Sequence, residues 1–154
     1  MKHADTVLPV AALAPGALEA LLAPYGLTLE WPGPGAIAGS YWGGSEAGLI
    51  GNRLILRPDT PVHSALHEAC HYVCADAARR ATLHTDAGGD DLEECAVCYL
   101  QCLLADALPG YSRERLWTDM DAWGYSFRLG SAQAWFERDA QDARDLLSQR
   151  GLLV

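Results

Sequence analysis

The chain is predicted to be α+β: a small, mainly antiparallel sheet followed by a largely helical remainder. Three observations predict this. Short stretches of alternating polarity, each closed by Gly or Pro, lie in the first third. Long stretches with apolar residues three and four apart dominate after residue 60. The composition, 50% apolar and 20% charged, is that of a globular chain, and 154 residues suit one domain spanning 1–154. Eleven basic and 20 acidic residues give a net charge of −9, which argues against a nucleic-acid partner, since phosphate contacts need a basic surface. No apolar run approaches the roughly 20 residues of a membrane span.

Residues 1–13 read as a loose lead-in. Lys2 precedes an apolar run, but Asp5, Pro9 and Pro15 interrupt it, so a cleaved signal is not expected. Pro15 and Gly16 open a short helix through Ala23, with Leu18, Leu21 and Leu22 on one face and Pro24 as its stop. Residues 27–31 alternate and end at a Pro-Gly-Pro-Gly loop, which predicts a strand, and Ser40-Tyr41-Trp42 is a second extended candidate. Leu49-Ile50 and residues 54–57 predict two strands meeting at Gly51-Asn52.

Thr60 as N-cap and Pro61 as first residue begin the next helix, expected to run to Arg79-Arg80, whose charges suit a C-terminus. A loop at 81–91 precedes a strong helix from Leu92 to about Leu108, closed by Pro109-Gly110. The remainder predicts a helix over about 112–123, then one from Ser131 to residues 149–150. The latter buries a stripe of Trp135, Phe136, Ala140, Ala143 and Leu147.

The chemistry concentrates at His67-Glu68-Ala69-Cys70-His71. On a helix, His67 and His71 lie one turn apart on one face and can reach one metal ion. Glu68 sits about 100° round, beside the ligand line, where a general base belongs. His63, one further turn back, would make three ligands in a straight line and is read as a supporting or solvated residue. A catalytic zinc takes three protein ligands and leaves one position for water. Glu93 and Glu94 are the leading candidates for the third. Helical phase favours Glu93, which shares its stripe with Ala96, Val97, Leu100 and Leu104; the alternative, Glu94, shares one with Cys98, Gln101 and Ala105.

Five cysteines (Cys70, Cys74, Cys95, Cys98 and Cys102) form an odd set in two short segments, unlike a disulfide framework, so a reducing, cytoplasmic setting is expected. They are read mainly as small buried hydrophobes. If Glu93 faced the metal, the 95/98/102 stripe would point away from it.

Glu93-Glu94-Cys95-Ala96 after the His-Glu-x-x-His helix resembles the gluzincin metallopeptidases, where a Glu on a second helix supplies the third ligand and a small residue three positions on lets the helices approach. Tyr99 and Leu103-Leu104 resemble the aromatic and paired leucines of the small ImmA/IrrE-like members. Val97 stands where that family usually carries a polar residue supporting a zinc-binding His. The resemblance covers about residues 49–108 and implies a minimal zincin-like domain with zinc as cofactor. Its sheet would pack on the His-Glu-x-x-His helix.

The expected activity is that of a zinc-dependent peptidase acting on an intracellular protein or peptide. Zinc lowers the pKa of its water to about 7, and Glu68 takes that water's proton. Tyr125, His84 and Tyr72 are candidate donors to an oxyanion. An extended peptide could add to the sheet edge before the motif helix. Two other readings compete: a metal-binding or sensor protein on the same fold with little turnover, and a thiol-based redox switch.

Overall fold

The computed structural model describes residues 7–40, 43–84 and 90–153. Within these the chain is α+β, with three strands and seven α-helices. Strands β1 (Thr28–Glu30), β2 (Gly48–Ile50) and β3 (Arg53–Ile55) form one sheet in the order β1-β3-β2. β2 and β3 make the expected hairpin across Gly51-Asn52, with Gly51 at φ 58°, a left-handed conformation that a two-residue turn demands. The sheet is mixed rather than mainly antiparallel, because β3 inserts between its neighbours and pairs with β1 in parallel. Bonds from Thr28 N to Asn52 O and from Leu56 N to Glu30 O extend that parallel ladder beyond the strands. Ser40 follows a turn closed by its bond to Ile37 O, and the rest of the extended candidate at 40–42 lies outside the described residues.

The helices are α1 (Ala17–Leu22), α2 (Val62–Cys74), α3 (Ala77–Arg80), α4 (Asp91–Ala107), α5 (Arg113–Trp123), α6 (Ala132–Arg138) and α7 (Gln141–Gln149). Leu49, Leu54 and Leu56 of the sheet region share one core with Val62, Ala65, Leu66 and Ala69 of α2. α4 packs most heavily on α2 and on α7, so it runs through the middle of the molecule. Ala96, Val97, Leu100 and Leu104 join it to Leu116, Met120, Trp135 and Leu147 of the helical tail.

Three helix boundaries differ from expectation for local reasons. α2 is capped at Pro61 by chain geometry, while the Thr60 hydroxyl accepts from Arg57 N and closes the preceding turn. Val62 N instead donates to Leu8 O, and Val10 N donates to Thr60 O. The N-terminal segment from residue 7 is therefore no loose lead-in: Val7 and Val10 are buried, and Leu8 N donates to the buried Asp119. α2 stops at Cys74 because Ala75 is extended and Asp76 caps the separate α3. Arg80 still serves α2's C-terminus, donating to the carbonyls of Tyr72 and Val73 at 2.9 Å each. The last predicted helix breaks at Asp139 and Ala140, where the Asp139 carboxylate accepts from Arg128. Its stripe holds: Trp135, Ala140, Ala143 and Leu147 are buried with Phe136 against them.

Gly48 is the tightest point of the sheet, since a Cβ there would lie 1.9 Å from the Ala38 carbonyl oxygen. Gly48→Ala is expected to cost about 1–3 kcal/mol, the range for overpacking. An unchanged urea midpoint would show that residues 37–40 move aside freely.

Candidate metal centre

Gln101 fixes the geometry of the site. Its amide NH2 donates to the backbone carbonyl of His63 at 2.7 Å, and a carbonyl can only accept. The amide oxygen must therefore face His67 Nδ1, 3.0 Å away, and accept its proton. With Nδ1 committed to Gln101, Nε2 is the ring nitrogen that His67 turns toward α4. That nitrogen lies 2.9 Å from Glu94 Oε1, while His71 Nε2 lies 3.1 Å from Oε2. Two imidazoles thus converge on one carboxylate, their ring centroids 4.8 Å apart and their planes at 82°.

α2 and α4 are antiparallel, since His63 meets Gln101 and His71 meets Glu94. Successive turns of α2 consequently face successive turns of α4. Asp90 starts α4 by accepting from Glu93 N at 2.8 Å, which sets the phase of the whole helix.

Glu94, and not Glu93, faces the histidines. Glu93 is 2% exposed, and its Oε2 accepts from Arg79 at 2.6 Å and from Arg150 at 2.8 Å. Phase located the buried carboxylate correctly, but burial there serves a salt clamp joining α3, α4 and the C-terminal end. Burial alone would raise the Glu93 pKa; the two guanidiniums hold it below the usual range. Glu94 is half-exposed at the rim of the α2–α4 interface. Burial opposes its ionisation too, and the bonds from His67 and His71 outweigh that, lowering its pKa far below normal.

Around His67, burial disfavours the imidazolium, but Tyr125, Cys98 and Glu94 together raise its pKa well above the ordinary value. Glu68 is half-buried, and burial raises its carboxyl pKa against the opposing pull of His67 and His71. A carboxylate held closer to neutrality is a better proton acceptor and donor near pH 7.

The remaining candidates separate. Tyr125 packs edge-on to His67 at 5.7 Å, but its hydroxyl is 3.2 Å from His63 Nδ1, so it braces α2. His63 is fully buried behind His67, with Nε2 unpartnered and its pKa lowered to about 3 by burial and by His67. His84 bridges to Ile50 on the outer edge of β2, and Tyr72 lies beneath the Arg80 guanidinium at 4.6 Å. Neither joins the group around His67 and Glu94. That bridge, and the crowding of Gly48 by Ala38, cover the β2 edge, while β3 is central. The other edge strand of the sheet is β1.

Cys98 shares no stripe with Glu93, as the helical phase predicts. From Glu94 it is one turn along the same stripe, and donor atoms of His67, Glu94 and Cys98 all lie within 4.8 Å of one another. Gln101 continues that stripe, so its support for His67 was visible in the spacing once Glu94 was chosen. His71 has no such support: its Nδ1 is buried without a partner. Gln101→Leu is expected to weaken metal binding about 10- to 100-fold, the usual effect of losing such a partner. Equal affinity in the variant, by competition with a chelator, would remove that role.

A cleft of about 400 Å3 opens against Glu94 and Cys98, lined also by Leu92, Cys95, Phe127 and Trp135. No helix among the described residues is long and apolar enough to cross a membrane. No protein-family model, curated protein or solved structure matches the chain.

Proposed function

We propose that the protein is a zinc-dependent hydrolase of the metallopeptidase type, with His67, His71 and Glu94 as ligands and Glu68 as general base. The observation that carries this reading is the convergence of His67 Nε2 and His71 Nε2 on the two oxygens of one carboxylate, Glu94, at 2.9 and 3.1 Å. Without metal, protons on the imidazoles hold the three side chains together, and a cation that displaces those protons would meet the same donor atoms. Two imidazoles and a carboxylate are a zinc donor set, and their arrangement on facing helices matches that requirement. Bound zinc would supply Lewis acidity and a water of pKa about 7.

The chain's own residues then have defined tasks. Gln101 holds His67 in one tautomer, and His63 with Tyr125 braces the helix behind it. Glu68 accepts a proton and returns it to the leaving nitrogen, a task its raised pKa suits. Phe127 and Trp135 offer apolar contact to a peptide lying in the cleft beside Glu94.

Metal analysis is expected to give about one zinc per chain, lost in His67→Ala. Zinc retained by that variant would defeat the assignment. Glu68→Gln is expected to keep zinc and lose at least 100-fold in peptide hydrolysis, the scale of general-base removal. Full activity in that variant would remove Glu68 from its role. A second reading, a metal sensor with little turnover, is favoured by one observation: a buried thiol, Cys98, stands among the ligands.

A further inference from the structure

We propose that Cys98 is a fourth protein donor, so that the resting centre is His67, His71, Glu94 and Cys98, with no position left for water. This rests on the ligand assignment above and adds a regulatory state to it. Glu94 and Cys98 are four residues apart on α4, and His67 and His71 are four apart on α2, so two helical turns of donors oppose each other. Donor atoms about 2.0–2.3 Å from one tetrahedral zinc are roughly 3.5 Å apart. The donors of His67, Glu94 and Cys98 already lie within 4.8 Å of one another; His71 stands outside that group and meets it at Glu94, 3.1 Å away, so closing the set takes a rotation that brings His71 and Cys98 together. Cys98 is 7% exposed and has no disulfide partner, so its thiol is available to metal and shielded from bulk solvent.

Coordination exchanges the Cys98 S–H bond for a sulfur–metal bond and releases the proton to solvent, with no change of oxidation state. Four-donor sites are structural, and three-donor sites with water are catalytic. The same centre therefore passes from closed to open when Cys98 leaves the metal. Cys98 also lines the cleft, so a peptide entering there arrives at the donor it must displace.

Cobalt substitution tests this. The full chain loaded with cobalt is expected to show a thiolate-to-cobalt charge-transfer band, lost in both Cys98→Ser and Cys98→Ala and kept in Cys95→Ala. Each variant should still bind one cobalt. A band that persists in both Cys98 variants, or a wild-type protein that binds cobalt through His67 without any such band, overturns the Cys98 donor and leaves the three-ligand reading standing. A wild-type protein that binds no cobalt or zinc overturns both.

Discussion

Glu94→Ala is expected to abolish tight zinc binding, whereas Glu93→Ala keeps the zinc and weakens the fold. Glu94 is the only carboxylate brought to within hydrogen-bond distance of both His67 and His71 among the described ion pairs. Losing a supporting partner costs about 10- to 100-fold in affinity, and losing a ligand must exceed that. Glu93 is instead paired with Arg79 and Arg150. Removing one partner of a fully buried pair costs about 3–5 kcal/mol. Here the guanidiniums are 32% and 37% exposed, so water takes up part of their charge and about 1–3 kcal/mol is expected. The clamp also has a pH signature. Its carboxyl pKa is depressed in the fold, so its stabilisation is present above the unfolded value of about 4.5 and fades as pH falls through the lower folded value. Zinc titrations and urea midpoints on the two variants check the pair of outcomes; zinc lost from Glu93→Ala and kept by Glu94→Ala would reverse the assignment.

That pair of residues also shows how much a sequence can say. The helices were legible because apolar spacing and caps are local, and the pairing of His67 with His71 follows from helix geometry alone. The carboxylate that faces the histidines was not, because phase identifies the most buried face, and Glu94 lies at the edge of it. Glu94 meets α2 from the half-exposed rim, and the buried stripe is left to Glu93 and its two arginines. Sheet order was hidden for a different reason: β1 meets β3 across 22 intervening positions, and nothing local to either strand records that pairing. The break after Cys74 was equally obscure, since Ala75 and Asp76 are common inside helices and only Asp76's capping bond to Arg79 N reveals the new start.

His63 is expected to make the protein acid-sensitive in a window of its own. The ring is fully buried against Trp123 and Tyr125, with centroids 5.0 and 5.5 Å away, and its pKa is held at about 3 against 6.5 in the open chain. Between those values the unfolded state takes up a proton that the native state refuses. Stability is therefore lost as pH falls, by about 1.4 kcal/mol per pH unit. The other perturbed groups at the site act with different signs or ranges. His67, whose folded pKa is raised, stabilises fully below 6.5 and loses that contribution only as pH rises further. Glu93 and Glu94, both depressed, lose theirs below about 4.5. Glu68, raised by burial, opposes the trend. Comparing wild type with His63→Phe cancels these shared terms. From pH 6.5 to 4.5, with a chelator present to exclude metal release, the stability difference should move about 2–3 kcal/mol in favour of the variant. Parallel stability curves would mean that His63 takes up its proton in the fold. The same burial that makes His63 acid-sensitive keeps a positive charge from forming one turn behind His67, where it would repel a bound cation.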